Sequence, residues 1–157
     1  MLKSGIDRDE ILDANLSGWT EEDAMKLFGI LAAKGTLEKS QYLYISYDFV
    51  LPFVAGIFLS SLSHLCANES PYPTPFSSCL PLCAGIGTLL DLSENFIVFT
   101  LITEYLKNDG TRFDSPFLIS IGGWITMTKF VALFLPLSSF MLSKVKKLLI
   151  TPARKKD

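Results

Sequence analysis

Polar and apolar positions in this chain separate into blocks. Residues 1–40 are largely polar, three long apolar runs follow, and residues 144–157, KVKKLLITPARKKD, are basic. The runs cover residues 42–64, about 79–105 and about 117–142, each long enough to cross a bilayer as a helix, which takes about 20 apolar residues. The pattern predicts an all-α fold: an integral membrane bundle of three transmembrane helices plus a short N-terminal amphipathic helix. Three regions follow: a polar N-terminal region over 1–40, a three-span membrane domain over 41–143, and a basic tail over 144–157. CANESPYPTPFSS between the first two runs is rich in Pro and Ser and reads as an irregular loop. KNDGTRFDSP between the last two reads as a short polar turn. Neither an internal repeat nor a low-complexity segment is visible.

The N-terminal helix is expected in WTEEDAMKLFGILAAKG. Thr20 is placed to cap it, Glu21, Glu22 and Asp23 suit its first turn, and Gly35 after Lys34 suits its end. Met25, Phe28, Leu31 and Ala32 share a face. That face can pack on the rest of the protein or lie on a membrane surface. The first forty residues lack the short apolar core of a cleavable signal, so the first span is expected to act as the targeting signal.

Composition adds little beyond this. The 157 residues are 49% hydrophobic and include twelve Phe. The net charge of −2 hides acids over residues 7–23 and a basic C-terminus. The balance gives no argument for a nucleic-acid partner; the basic tail suits anionic lipid head groups. Cys66, Cys79 and Cys83 form no CxxC pair and there is one His, so neither a zinc site nor a redox motif is expected. A disulfide from Cys66 to Cys79 or Cys83, or free thiols, fit equally. The Asn68 sequon lies close to the membrane and is expected to be unmodified. Lys26, Lys34, Lys39, Lys107 and Arg112 favour the N-terminus inside, whereas the basic tail favours the opposite; the balance leans to the N-terminus inside.

The informative residues are the charges within the runs. Asp48 shares a helix face with Tyr44, Pro52, Ala55 and Gly56. Asp91 aligns with Ala84, Gly87, Thr88, Glu94 and Asn95. Lys129 aligns with Gly122, Thr126, Ala132 and Pro136. Small residues let helices approach closely in lipid, and polar side chains then bond across the contact. One charge in mid-span costs about 2.5–3.5 kcal/mol. Placing the charges on small-residue faces lets them meet inside the bundle. The predicted network is Asp48, Asp91, Glu94, Asn95 and Lys129, with Lys129–Glu94 the leading pair. Asp91 lies a turn away and Asp48 lies across the midplane, within reach of the lysine stem. Three acids facing one lysine imply that at least one carboxyl keeps its proton.

Catalytic constellations are lacking. Tyr47-Asp48 and the Gly-rich segment before Asp91 are similar to the paired motifs of intramembrane aspartyl proteases. Here, however, Gly85-Ile86-Gly87 is followed by Thr88, with Asp91 displaced, and the chain is short for that fold. His64 has no partner histidine, and there is no Ser-His-Asp set, phosphate-binding loop or dinucleotide fingerprint. No catalytic residue, cofactor or metal is assigned. Tyr42, Tyr44, Tyr105 and Phe117 fall near run ends, as in an interfacial aromatic belt.

SYDFVLPFVAG, PLCAGIGTLLDLSENFIVF and TKFVALF together resemble a group of small multi-span membrane proteins of unassigned function. Asp48, Phe49 and Pro52 match one span of that group. Pro81, Gly85, Asp91, Glu94 and Asn95 match an Asp-x-x-Glu-Asn span, and Lys129 and Phe130 match a later one. The resemblance covers the membrane half of the chain and implies that the charged positions act together. The functional expectation is a multi-pass membrane protein that is a structural or accessory subunit, partnered by the bilayer and other membrane subunits. The rival is proton- or ion-coupled transport through the same cluster. A lipid-directed enzyme has only the carboxylates in its favour.

Overall fold

A computed structural model describes residues 18–69 and 75–150, with side chains for all of these except 66–69, 75–78, 143 and 146–150. The described residues form five helices: α1 (Glu21–Ala33), α2 (Leu37–Ile45), α3 (Tyr47–Glu69), α4 (Pro75–Lys107) and α5 (Pro116–Ile150). Three stretches are long and apolar enough to span a membrane: Leu37–Leu65, Cys79–Lys107 and Pro116–Leu142. α3, α4 and α5 pack together in antiparallel succession, and α1 and α2 gather at the end near the α4–α5 turn.

α1 is set by a capping box. The Thr20 N–H and hydroxyl both donate to Asp23 Oδ2 at 2.8 Å, and the Asp23 N–H returns to Thr20 Oγ1 at 3.3 Å. Gly35, at φ +64°, supplies the left-handed turn that ends it. Its buried face is Ala24, Leu27, Phe28 and Leu31, whereas Met25 is half-buried and Ala32 exposed. The expected face is thus turned by about one position. Phe28, common to both faces, docks edge-on to Tyr105 and Phe113 with ring centroids 5.7 and 5.8 Å away. Of the two placements open to α1, the structure shows it packed on the bundle.

The first apolar run is two helices and not the single helix expected over 42–64. The two helices meet at Ser46, whose N–H, at 3.0 Å, and hydroxyl, at 2.8 Å, both donate to the Tyr42 carbonyl. α2 then runs along the end of α4, where Gln41 Nε2 donates to Thr103 Oγ1 at 2.7 Å. The expected loop over 66–78 is also shorter: α3 continues to Glu69, and α4 starts at Pro75, a residue whose fixed φ suits a first helical position. The Cys66 and Asn68 side chains, and with them a disulfide or glycan there, lie outside the described residues. Cys79 and Cys83 are free thiols. α5 does not stop at 143 but carries Lys144 onward to Ile150; the rest of the basic tail lies outside the described residues.

The α4–α5 turn is tight. Asp109 and Gly110 take positive φ, and a Cβ on Gly110 would meet the Tyr105 ring at 2.9 Å. Glu104 closes the turn: Oε2 accepts the N–H groups of Asp114 and Ser115 at 3.0 and 3.1 Å, just before α5 begins.

Outward and inward faces differ in a consistent way. Phe49, Phe53, Val54, Ile57 and Phe58 of α3, Leu82 and Leu89 of α4, and Val131 and Phe134 of α5 are all exposed. Glu94, Asn95, Thr126 and Lys129 are buried.

Candidate functional site: a charged cluster between three helices

The cluster begins with what proline removes. Pro52 has no N–H to give the Asp48 carbonyl one turn earlier. Asn95 Nδ2 of α4 donates to that carbonyl. One turn along, Thr88 donates to Ala84 O at 3.0 Å and lies 3.4 Å from Pro52 O. The approach is close because Gly56 faces Thr88; a Cβ there would overlap the threonine hydroxyl. Two polar side chains of α4 thus fasten the α3 backbone.

The α4–α5 contact holds the charges. Lys129 Nζ lies 2.8 Å from Asp91 Oδ1 and also pairs with Glu94 Oε2. Cβ vectors tilt toward a helix N-terminus, so in this antiparallel pair the lysine stem and the two carboxylates lean toward each other. Gly87, where a Cβ would meet Leu133 at 2.7 Å, keeps the helices near enough. The Glu94 side chain has no exposed surface and that of Lys129 is 7% exposed, whereas Asp91 keeps 24%.

Glu94 is closed from the α1 side by a residue the sequence reading passed over. Trp19 Nε1 donates to Thr126 Oγ1 at 3.0 Å, and the Thr126 hydroxyl donates to Glu94 Oε1. The indole occupies a notch at Gly122 and Gly123: a Cβ on Gly122 would strike the Trp19 ring, and one on Gly123 would meet the Trp19 carbonyl at 2.6 Å. Gly18, at φ +82°, sets the approach. A continuous run of polar contacts therefore extends from Trp19 through Thr126, Glu94 and Lys129 to Asp91.

Three of the five sequence-selected residues meet by their charges, and the other two meet each other through a main-chain carbonyl. Asp91, Glu94 and Lys129 meet directly. Asn95 reaches Asp48 through the Asp48 main chain, and the half-buried Asp48 carboxyl lies where its charge interacts with Asp91 and Lys129. Trp19, Thr126 and Gly123 were not selected as site residues. The adjacent glycines of GGW were the available signal, since such a pair inside an apolar run marks a close approach. His64 is exposed on α3, away from the cluster. Among the described residues, no group of three His, Cys, Asp or Glu is arranged to hold a metal. Comparison with protein-family models, curated proteins and solved structures finds no match to this chain.

Proposed function

We propose that this chain is a multi-pass integral membrane protein serving as a structural or accessory subunit, its helices locked by the Asp91–Glu94–Lys129 cluster. The observation that carries this reading is Glu94. It has no exposed surface, and its two oxygens are engaged by Thr126 and Lys129 beneath the Trp19 indole. A carboxylate closed on all sides fits a lock better than a path. Removing one partner of such a pair leaves a buried charge uncompensated, so α4 and α5 hold one register or separate. Expression in its native membrane and purification in mild detergent test the accessory role: the chain should travel with a larger assembly. Recovery only as a free monomer contradicts it.

A second reading rests on Asp91. Its partial exposure, with Asp48 beside it, gives a half-open polar approach to Lys129, as a proton- or ion-coupled protein would use. In liposomes this reading requires an ion flux that Glu94→Gln abolishes while the protein still folds. No flux in the unaltered chain removes it.

A further inference from the structure

The spans are longer than a bilayer needs. Leu37–Leu65 and Cys79–Lys107 have 29 residues each, and Pro116–Leu142 has 27. At 1.5 Å per residue these are about 40–44 Å, against a hydrocarbon core of about 30 Å. Where the surplus lies can be read from the side chains.

Three levels coincide. Asn95 meets the Asp48 carbonyl, which sets the residues just beyond Asn95 level with the Ser46 break. Ile97 lies against Gly122, and both lie against Trp19. Ser46, Ile97 and Gly122–Gly123 therefore mark one height on the bundle.

On the turn side of that height charged residues share the surface with exposed Leu43, Ile45, Leu106 and Phe117, around an apolar core. Leu27, Phe28, Leu31, Leu101, Ile102 and Phe113 are inside. Outside are Glu21, Glu22, Asp23, Lys26, Glu38, Lys39, Thr103 and Lys107. Thr20, Glu21 and Asp23 share a groove of about 530 Å³ with Ser120 and Gly123, so exposed carboxylates stand beside the first turns of α5. Exposed charges do not sit in hydrocarbon without a partner. On the other side the outward residues are Phe53, Val54, Ile57, Leu89, Val131 and Phe134. At the border stand Tyr42, Tyr47 and Trp124, each about two-thirds exposed or more, as aromatics do at a head-group layer.

We propose, resting on the membrane reading above, that the hydrocarbon edge crosses the bundle at Ser46, Ile97 and Gly122–Gly123. α1, α2 and the turn-side ends of α4 and α5 then form a folded cap in the phospholipid head-group layer and the water beyond it. The acyl chains contact only Tyr47–Leu65, Cys79–Ile97 and Gly123–Leu142, about 19–20 residues each, or roughly 28–30 Å. The charged cluster accordingly lies just beneath the head groups and not at mid-membrane. Glu94 is less than a turn below the edge, and the Lys129 stem leans back toward it. Trp19 stands at the boundary as the seal between the cluster and the aqueous cap.

Labelling single cysteines tests this. Cys66, Cys79 and Cys83 are replaced by Ser, and the protein is placed in phosphatidylcholine nanodiscs, which leave both faces open. Cysteine is then introduced at exposed Thr103 or Phe117, above the proposed edge, or at exposed Leu89 or Val131, below it. A charged maleimide should label the first pair at least tenfold faster than the second. Should Thr103→Cys and Phe117→Cys be as inert as Leu89→Cys and Val131→Cys, the edge lies farther out and the proposal is overturned, with the membrane reading intact. Should Leu89→Cys and Val131→Cys react as fast as the others, the membrane reading itself fails and the proposal with it.

Discussion

Asp91 and Glu94 lie one turn apart on α4 and share the Lys129 ammonium, yet their surroundings differ. Glu94 is enclosed by Thr126, Trp19 and Lys129 and has no exposed surface. Asp91 is a quarter exposed and lies within electrostatic range of Asp48, a second acid. The side chains around each carboxylate, more than its depth along the helix, decide its role. On the Glu94 side the cluster is a closed contact between α4 and α5 beneath the α1 end. On the Asp91 side it is looser and neighbours the α3 contact made by Asn95 and Thr88.

That contrast can be broken from either side. Lys129→Met should have the largest effect, about 3–5 kcal/mol of stability, because it leaves Glu94 buried without a cation. Adding Glu94→Gln should recover more of that loss than adding Asp91→Asn, as thermal unfolding in mild detergent would read. Trp19→Ala comes next, at roughly 3 kcal/mol, from the lost indole in its glycine notch. It should also make Glu94 reactive toward a hydrophobic carbodiimide while leaving the labelling of Asp91 unchanged. If Glu94 stays inert in Trp19→Ala, the indole is not its seal. Asn95→Leu should cost about 1 kcal/mol, the scale of one interhelical hydrogen bond, and loosen α3 without exposing Glu94. Asp91→Asn should be smallest, below about 1 kcal/mol, since the amide oxygen can still accept from Lys129 and the buried Glu94–Lys129 pair stays intact. An Asp91→Asn loss as large as that of Lys129→Met would erase the distinction between the two acids.

The inward faces were legible in the sequence because two requirements coincide on them. Close approach demands Gly56, Gly87 and Gly122, and burial of charge demands Asp91, Glu94 and Lys129 on the same stripe. A period of 3.6 then identifies the face without tertiary information. Thr20 as the cap of α1 was legible for a similar local reason, the reciprocal bonds to Asp23. What depends on distant contacts was not. Trp19 lies in a polar region far along the chain from Thr126, and its meaning appears only when Gly122 and Gly123 receive it. The break at Ser46 is hidden because the apolar run continues across it. The Asp48 carbonyl freed by Pro52 could have been anticipated from the four-residue spacing, but its acceptance of Asn95 needed the register of two helices.

The most direct test of the lock is a double-mutant cycle between Glu94 and Lys129. Unfolding free energies would be measured in mild detergent for the unaltered chain, Glu94→Gln, Lys129→Met and the double variant. The account predicts that the double variant is more stable than the sum of the single losses allows, with a coupling of about 2–3 kcal/mol and a clearly smaller one for Asp91 with Lys129. Additive losses at Glu94 and Lys129 would contradict it, for the buried pair would then not be what holds α4 to α5.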